Sequence, residues 1–375
     1  MAKISLVSRN FPPLTGGMER LVFELYKTLI RRHDVSLLGP NGCEEHIDSN
    51  SLVASTRVSP TSVFLLLTLI KGVFQHLSNG SPDIVIGGSG LVGPVVIWLA
   101  KLSGARSILL LHGLDIIADS RLYQWLFVPF LRRADLVVCN SNNTARLAMT
   151  RGVAEHRIEI INPGAETQQA SLSHEQAKQS LGLEDKRILL SVGRLIPRKG
   201  LPTYIEEAFA KLAGENTDIV LLVAGTEPSS ALNKPAGSVL EKINNAVAEF
   251  DLAEQVQLLG HVSEDEIATL YSAADAFVFP LVDTPGDVEG FGMVAIEAAS
   301  YGSPTVAFNC GGVSDAVIDG ENGVLVPPGD YTSFNDATLQ LLEQGSRDRA
   351  RQFAAQFSWE KYGAQFQACI DKVVR

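Results

Sequence analysis

Short apolar runs rich in Ile, Val and Leu recur along the whole chain, and segments with helical spacing separate them. In the first half the runs predict strands at Ile4–Ser8, Val35–Leu38, Ile84–Ile86, Ile108–Leu111, Leu136–Cys139 and Ile158–Ile161. In the second half they fall at Ile188–Val192, Ile219–Val223, Val256–Leu259, Ala276–Phe279, Thr305–Phe308 and Val324–Val326. Strands that are apolar throughout, rather than alternating, belong to parallel sheets covered on both faces. Two such series in tandem predict an α/β chain of two Rossmann-like, doubly wound parallel-sheet domains facing a cleft.

The seam is expected near Asn162–Ser173, where IEIIN ends in Pro163-Gly164 and a polar stretch follows. This gives an N-terminal domain over 1–167 and a C-terminal domain over 168–357. A surplus helix over Trp359–Val373 follows the last strand. A length of 375 residues suits two cores better than one. Ligands of open parallel sheets bind beyond the carboxyl ends of the strands, so the chemistry is sought in the loops after them.

Composition narrows the classes. The chain is 46% hydrophobic and 19% charged, as a soluble globular protein is. Cys43, Cys139, Cys310 and Cys369 form no zinc spacing and read as reduced packing residues of a cytoplasmic protein. The N-terminus enters a strand with no basic segment before a long apolar one, so no signal peptide is expected. The net charge of -11 is uneven. Residues 1–165 hold 16 Lys and Arg against 12 Asp and Glu, a balance of +4; residues 166–375 hold 15 against 30, a balance of -15. No basic stripe with interleaved aromatics recurs, which argues against nucleic acid as a partner.

Four loops carry candidate chemistry. Arg194 and Lys199, in GRLIPRKG after a strand, form either an anion clamp or a pair of surface charges leading into a helix. In EGFGMVAIE, Gly290 and Gly292 let backbone approach a ligand, and the helix opening at Met293 directs free amides at an anion. Glu289 and Glu297 flank that turn, as site carboxylates or as partners of the helix dipole. Gly16 and Gly17, in NFPPLTGGMER, form a phosphate cradle or an ordinary turn. His112 ends a strand, where it either meets a substrate hydroxyl or is structural. There is no Asp-x-Asp, and His261 with Glu264-Asp265-Glu266 reads as a capped helix start behind Ser263, so no metal and no resident cofactor are expected.

With these residues in place, the chain resembles glycosyltransferase family 4, the group 1 enzymes of GT-B fold, and bacterial mannosyltransferases among them. PPLTGGMER, PDIV at 82–85, HGLD at 112–115, ADLVVCNS at 134–141, INPG at 161–164, VGRLIPRKG at 192–200, EGFGMVAIEA at 289–298 and GGVSDAVIDGENGVLVPPGD at 311–330 stand in the family's order. The resemblance implies a retaining, metal-independent hexosyltransferase of polysaccharide biosynthesis. Its co-substrate is a nucleotide-sugar donor, and its acceptor is a glycan or lipid-linked hydroxyl. It assigns Arg194 and Lys199 to the donor phosphates, Glu289 and His112 to the transferred sugar, and Glu297 to the ribose. Gly16, Gly17, Gly290, Phe291, Gly292 and Met293 line the donor. The helix over 358–375 crosses back to the first domain.

Asp315 stands where many members have Glu, Pro163 interrupts the usual Asn-Gly, and RRHDV lacks a common Gly. The loop VDTPGDVEGFG is longer than the family's plain form and makes GDP-mannose the first donor to test. A nucleotide-sugar 2-epimerase and a non-catalytic nucleotide- or sugar-binding protein are the alternatives. VFLLLTLIKGVF at 63–74 has twelve residues, too few to span a bilayer, while RLYQWLFVPFLRR at 121–133 suits an anionic membrane surface. Pro129 is expected to kink the latter. Peripheral contact through the N-terminal half competes with plain packing of both segments on the first sheet.

Overall fold

The computed structural model describes residues 1–48, 51–165, 172–228 and 237–374. The chain forms two compact units, Met1–Gly164 with Trp359–Arg375 and Ala165–Ser358. The expected boundary at 167/168 lies outside the described residues.

The first unit holds seven parallel strands in the order β3-β2-β1-β4-β5-β6-β7. These are β1 (Lys3–Val7), β2 (Asp34–Pro40), β3 (Leu52–Thr56), β4 (Ile84–Gly87), β5 (Arg106–Leu111), β6 (Leu136–Cys139) and β7 (Ile158–Ile160). Between them run α1 (Gly17–Ile30), α2 (Thr61–Asn79), α3 (Gly93–Ser103), α4 (Leu114–Ile117), α5 (Arg121–Leu126), α6 (Val128–Leu131) and α7 (Asn142–Thr150). The continuous apolar strands split by simple alternation. Ile108 and Leu110 of β5 join one core with α1, while Leu109 and Leu111 join the other with α3 and α7.

The second unit holds six parallel strands in the order β10-β9-β8-β11-β12-β13. Its elements in chain order are α8 (His174–Leu181), β8 (Arg187–Val192), α9 (Leu201–Tyr204), α10 (Ala210–Glu215), β9 (Ile219–Ala224), α11 (Val239–Glu249), β10 (Val256–Gly260), α12 (Glu264–Ala273), β11 (Ala276–Phe279), α13 (Met293–Ser300), β12 (Thr305–Phe308), β13 (Gly323–Val326), α14 (Tyr331–Gln344) and α15 (Arg347–Ala354). A wider π turn at Ile205–Phe209 joins α9 to α10. Ser263 caps α12 as expected: its hydroxyl accepts from Glu266 N at 3.3 Å, and Glu266 Oε2 accepts from Ser263 N at 2.7 Å.

The last helix, α16 (Trp359–Val374), belongs to the first unit. Its Tyr362, Phe366 and Ile370 enter the core formed with Leu21, Leu25 and Leu29 of α1. Its Gln367 bonds His33 Nε2 at 2.8 Å. A side chain on Gly164 would meet Trp359 N at 2.6 Å, which accounts for glycine at the end of the INPG turn.

All twelve expected strands are present to within a few residues at each end. β3 is an additional strand; it lies at the sheet edge, half exposed, so LVAST lacks the continuous apolar signal of a central strand. Two expectations for the apolar segments are corrected. The helix around 63–74 is α2, of 19 residues, long and apolar enough to cross a membrane by length and composition. It buries a stripe of Phe64, Thr68, Gly72 and His76 against its unit. The segment 121–133 is not one kinked helix. It breaks at Phe127, and Pro129 sits in the first turn of α6, where a missing amide costs nothing.

Candidate donor site

The loop after β8 is shaped by a close approach to the end of β11. Gly200 has φ 67°, and a Cβ there would lie 1.9 Å from Pro280 O. Val282 N donates to Arg198 O at 2.9 Å. Only glycine lets this loop press so near, and the contact carries Arg198 and Lys199 toward Glu289.

The result is a buried ionic cluster. Lys199 Nζ donates to Glu289 Oε2 at 3.1 Å and lies 4.4 Å from the Phe279 ring centroid. Arg198 hydrogen-bonds the same carboxylate oxygen. Its Nε stands 3.1 Å from Asp287 Oδ1, an ion pair whose alignment falls short of a hydrogen bond. Burial alone would raise the Glu289 carboxyl, but Lys199 and Arg198 outweigh it and hold the group down at about 2. Lys199 moves down because burial penalises its charge, with Arg198 and Arg194 adding to the effect against Glu289.

Arg194 stands apart from this cluster. It is exposed, and its guanidinium makes no hydrogen bond or ion pair among the described residues. It shares a narrow crevice at the ends of β8 and β9 with Ser191, Gly193 and Lys199. The structure therefore pairs Lys199 with Glu289 and sets Arg194 beside Lys199 in the crevice.

Behind them, Gly292 (φ 98°) caps α13, Met293 opens it, and Phe291 is buried against Phe357 at 5.8 Å. The Gly311-Gly312 turn closes on this segment: Gly312 N donates to Glu289 O at 2.8 Å. Glu297 lies deeper on α13, where Tyr271 donates to Oε2 at 3.2 Å and stacks on Tyr301 at 5.6 Å.

His112 and Gly16-Gly17 lie in the first unit. The buried His112 places Nε2 2.8 Å from Gly88 O. A carbonyl can only accept, so Nε2 carries the proton in the neutral ring and Nδ1 is left to accept. Asp115 fixes the loop by accepting from His112 N at 3.0 Å and Gly90 N at 2.7 Å. Gly16 and Gly17 begin α1. A Cβ on Gly16 would lie 2.5 Å from Glu19 Oε2, so a carboxylate, itself bonded to Asn10 at 2.7 Å, stands beside the expected phosphate cradle.

Sequence reasoning missed Arg198 and Asp287. Arg198 lies inside the VGRLIPRKG motif but carries no role in the resemblance, and its partners lie about ninety residues on. The GDVEG insertion supplied the signal, since an extra acid beside Glu289 needs a cation. Among the described residues no group of three or more His, Cys, Asp or Glu could hold a metal ion.

Residues 15–169 match the family described as Glycosyltransferase Family 4, and residues 173–357 match Glycosyl transferases group 1. The chain is 27% identical, over 96% of each sequence, to a GDP-mannose-dependent alpha-(1-6)-phosphatidylinositol monomannoside mannosyltransferase of Mycolicibacterium smegmatis. It is 35% identical over 237 residues to a D-inositol 3-phosphate glycosyltransferase of Mycobacterium bovis, a match spanning 60% of this chain and 46% of that one. Anabaena Alr3699/HepE in complex with UDP shares the fold with a TM-score of 0.79 at 20% identity, over 99% of this chain and 100% of the other. Sucrose-phosphate synthase from Thermosynechococcus elongatus gives 0.76 at 22%, over 99% of each.

Proposed function

This chain belongs to glycosyltransferase family 4, with the GT-B fold, and on that premise we propose that it is a retaining hexosyltransferase using a nucleoside diphosphate sugar. The observation that carries the reading is the unpaired Arg194 beside Lys199, itself held by Glu289, at the carboxyl ends of the second sheet. GDP-mannose is the first donor to test; the Mycolicibacterium relative, matched end to end, is named for that donor. The acceptor is a hydroxyl of a glycan or lipid-linked molecule, as polysaccharide biosynthesis requires.

In the proposed reaction the bond between the anomeric carbon and the leaving phosphate oxygen breaks, and the acceptor oxygen bonds on the same face. The departing phosphate takes the acceptor proton. Arg194, Lys199 and the amides opening α13 neutralise its charge, so the chemistry is metal-independent. Fixed donors of this kind are typically worth roughly 10²–10³ each in rate. Glu289 positions Lys199 and meets the sugar, His112 Nδ1 accepts from a sugar hydroxyl, and Glu297 holds the ribose. The family resemblance assigns Gly16 and Gly17 to the donor phosphates as well.

Incubation with a donor panel tests this reading. Free nucleoside diphosphate with an acceptor-linked product of retained configuration supports it, and the activity should persist in excess EDTA. An epimerised donor, or no turnover of any donor with any hydroxyl acceptor, would sink it.

The first unit is further proposed to contact an anionic membrane surface from the cytoplasmic side. Leu66, Phe74 and Leu77 of α2, Trp98 and Leu102 of α3, and Leu122 and Trp125 of α5 are all exposed, as are Arg121, Arg132 and Arg133 in and just after α5 and α6. Co-sedimentation with anionic vesicles should weaken with salt and fall when those three arginines become Glu. A protein that stays in the supernatant at low salt would end this reading.

A further inference from the structure

The first unit carries a cleft that the donor chemistry does not account for; it shares Arg121 and Trp125 with the proposed membrane face, while Asp119, Gln124 and Arg151 lie outside that assignment. It has a volume of about 430 Å³, within the range of small-molecule sites, and opens between the segment Ile117–Trp125 and the end of α7. Asp119, Ser120, Arg121, Gln124, Trp125 and Arg151 line it.

Two cations in this lining lack partners. Neither the Arg121 nor the Arg151 side chain makes a hydrogen bond or ion pair among the described residues, and Arg151 Nε is buried with no acceptor. A buried donor left unpaired is costly unless something supplies the acceptor. Asp119 lines the same cleft but pairs with neither arginine, so it leaves both guanidinium groups available. Gln124 is not available: its amide donates to Ile116 O and Ala118 O, both at 3.0 Å, and fixes the wall. Trp125 is 73% exposed and offers a flat apolar face.

Arginine forks match the oxygens of a phosphate, and an indole face packs against the C–H face of a sugar or polyol ring. Asp119, as an acceptor, suits a ring hydroxyl. The cleft is also well placed. α4 has four residues, a rise of about 6 Å, so one helical turn separates the cleft from the loop that holds His112.

We propose that this cleft is the subsite for a phosphate carried on the acceptor, with Arg121 and Arg151 gripping the phosphate and Trp125 stacking on the attached ring. The word acceptor rests on the transferase reading above; the phosphate site does not.

Calorimetry with mannose 6-phosphate and mannose as probes tests the site on the full chain. The phosphorylated sugar should bind at least tenfold more tightly than mannose. Arg121→Gln with Arg151→Gln should lose at least tenfold of that affinity, while Arg132→Gln with Arg133→Gln should not. The double variant should bind nucleoside diphosphate within twofold of wild type, which shows that the fold survives. Arg194→Ala should leave mannose 6-phosphate binding unchanged, which separates the cleft from the donor clamp. A parallel titration uses phosphatidylglycerol and phosphatidylcholine vesicles. Binding of anionic vesicles that depends on Arg151, which is outside the proposed membrane face, with no binding of the free phosphosugar, supports a lipid-borne phosphate; phosphosugar binding without Arg151-dependent vesicle binding supports a soluble one. Equal binding of mannose and its phosphate, with vesicle binding indifferent to both arginines, overturns the proposal. Phosphosugar binding that survives in a protein with no nucleotide affinity would remove the transferase reading and keep the site.

Discussion

The two units use charge and apolar surface in opposite ways. The second unit holds 12 Lys and Arg against 28 Asp and Glu, yet it concentrates Arg198, Lys199, Asp287 and Glu289 in one buried cluster. The first unit holds 19 against 14, and several of its arginines reach solvent. The large apolar residues divide likewise. Among the described residues only Leu240, Phe250 and Ile318 are exposed in the second unit, whereas Phe74, Leu77, Leu102, Leu122, Trp125 and others are exposed in the first. Two sheets of similar topology thus differ in what surrounds them. One fixes charges against each other, as a site that binds a charged donor needs; the other leaves basic and apolar groups uncommitted, as a surface that meets a varied partner needs.

The sharpest test of this contrast is the clamp. Arg194→Ala or Lys199→Ala should lower kcat by roughly 10²-fold or more, if each neutralises charge that develops on the leaving phosphate. Arg194 is exposed and unpaired, so its variant should keep the wild-type melting temperature. Steady-state kinetics beside thermal unfolding measures both. Near-normal turnover in a folded Arg194→Ala protein would remove the clamp.

Glu289 should report the cluster through pH. Its folded pKa of about 2 lies below the ordinary 4.5. The stabilisation is therefore complete above about pH 4.5 and disappears as pH falls toward 2. The shift corresponds to about 3 kcal/mol. Urea unfolding of the wild type should show this loss between those limits, and Glu289→Gln should show a flatter profile. An unchanged slope would mean that the cluster does not hold Glu289 as described.

These residues also mark what the sequence made legible. The strands were visible because central parallel strands are apolar throughout, whereas the two cations after a strand in GRLIPRKG read either as a clamp or as surface charge leading into a helix. The edge strand β3 was not, since only one of its five residues is fully buried and the run ends in Ser-Thr. Arg198 was not, because its meaning depends on Asp287 and Glu289, which only the fold brings near. The extent of α2 was underestimated because its later residues, QHLSN, are polar apart from Leu77 while the backbone continues helical.

Within the second unit the two glutamates should separate. Glu297→Ala should weaken nucleoside diphosphate binding by roughly tenfold, about 1.4 kcal/mol. Glu289→Ala should mainly lower kcat, because its bonds go to Lys199 and Arg198 rather than toward Tyr271 and the deeper part of α13. Calorimetry with the nucleoside diphosphate decides between them, and equal losses in both variants would refute the division.

The smallest effect is expected on the surface of the first unit, and its smallness is informative. Phe74 and Leu77 are 66% and 78% exposed on α2, whereas Phe64 on the same helix is fully buried. If the outer face is free in solution, Phe74→Ser and Leu77→Ser should change unfolding free energy by no more than about 0.5 kcal/mol. Phe64→Ala should cost about 3–5 kcal/mol, because it empties a packed position between helix and sheet. The two exposed variants should instead reduce binding to anionic vesicles. Removing apolar area from a contact that exists only at the membrane weakens that contact and leaves the fold alone. A large loss of stability from Phe74→Ser or Leu77→Ser would show that this face is covered in the folded protein. The contrast between a closed second unit and an open first one would then fail at α2.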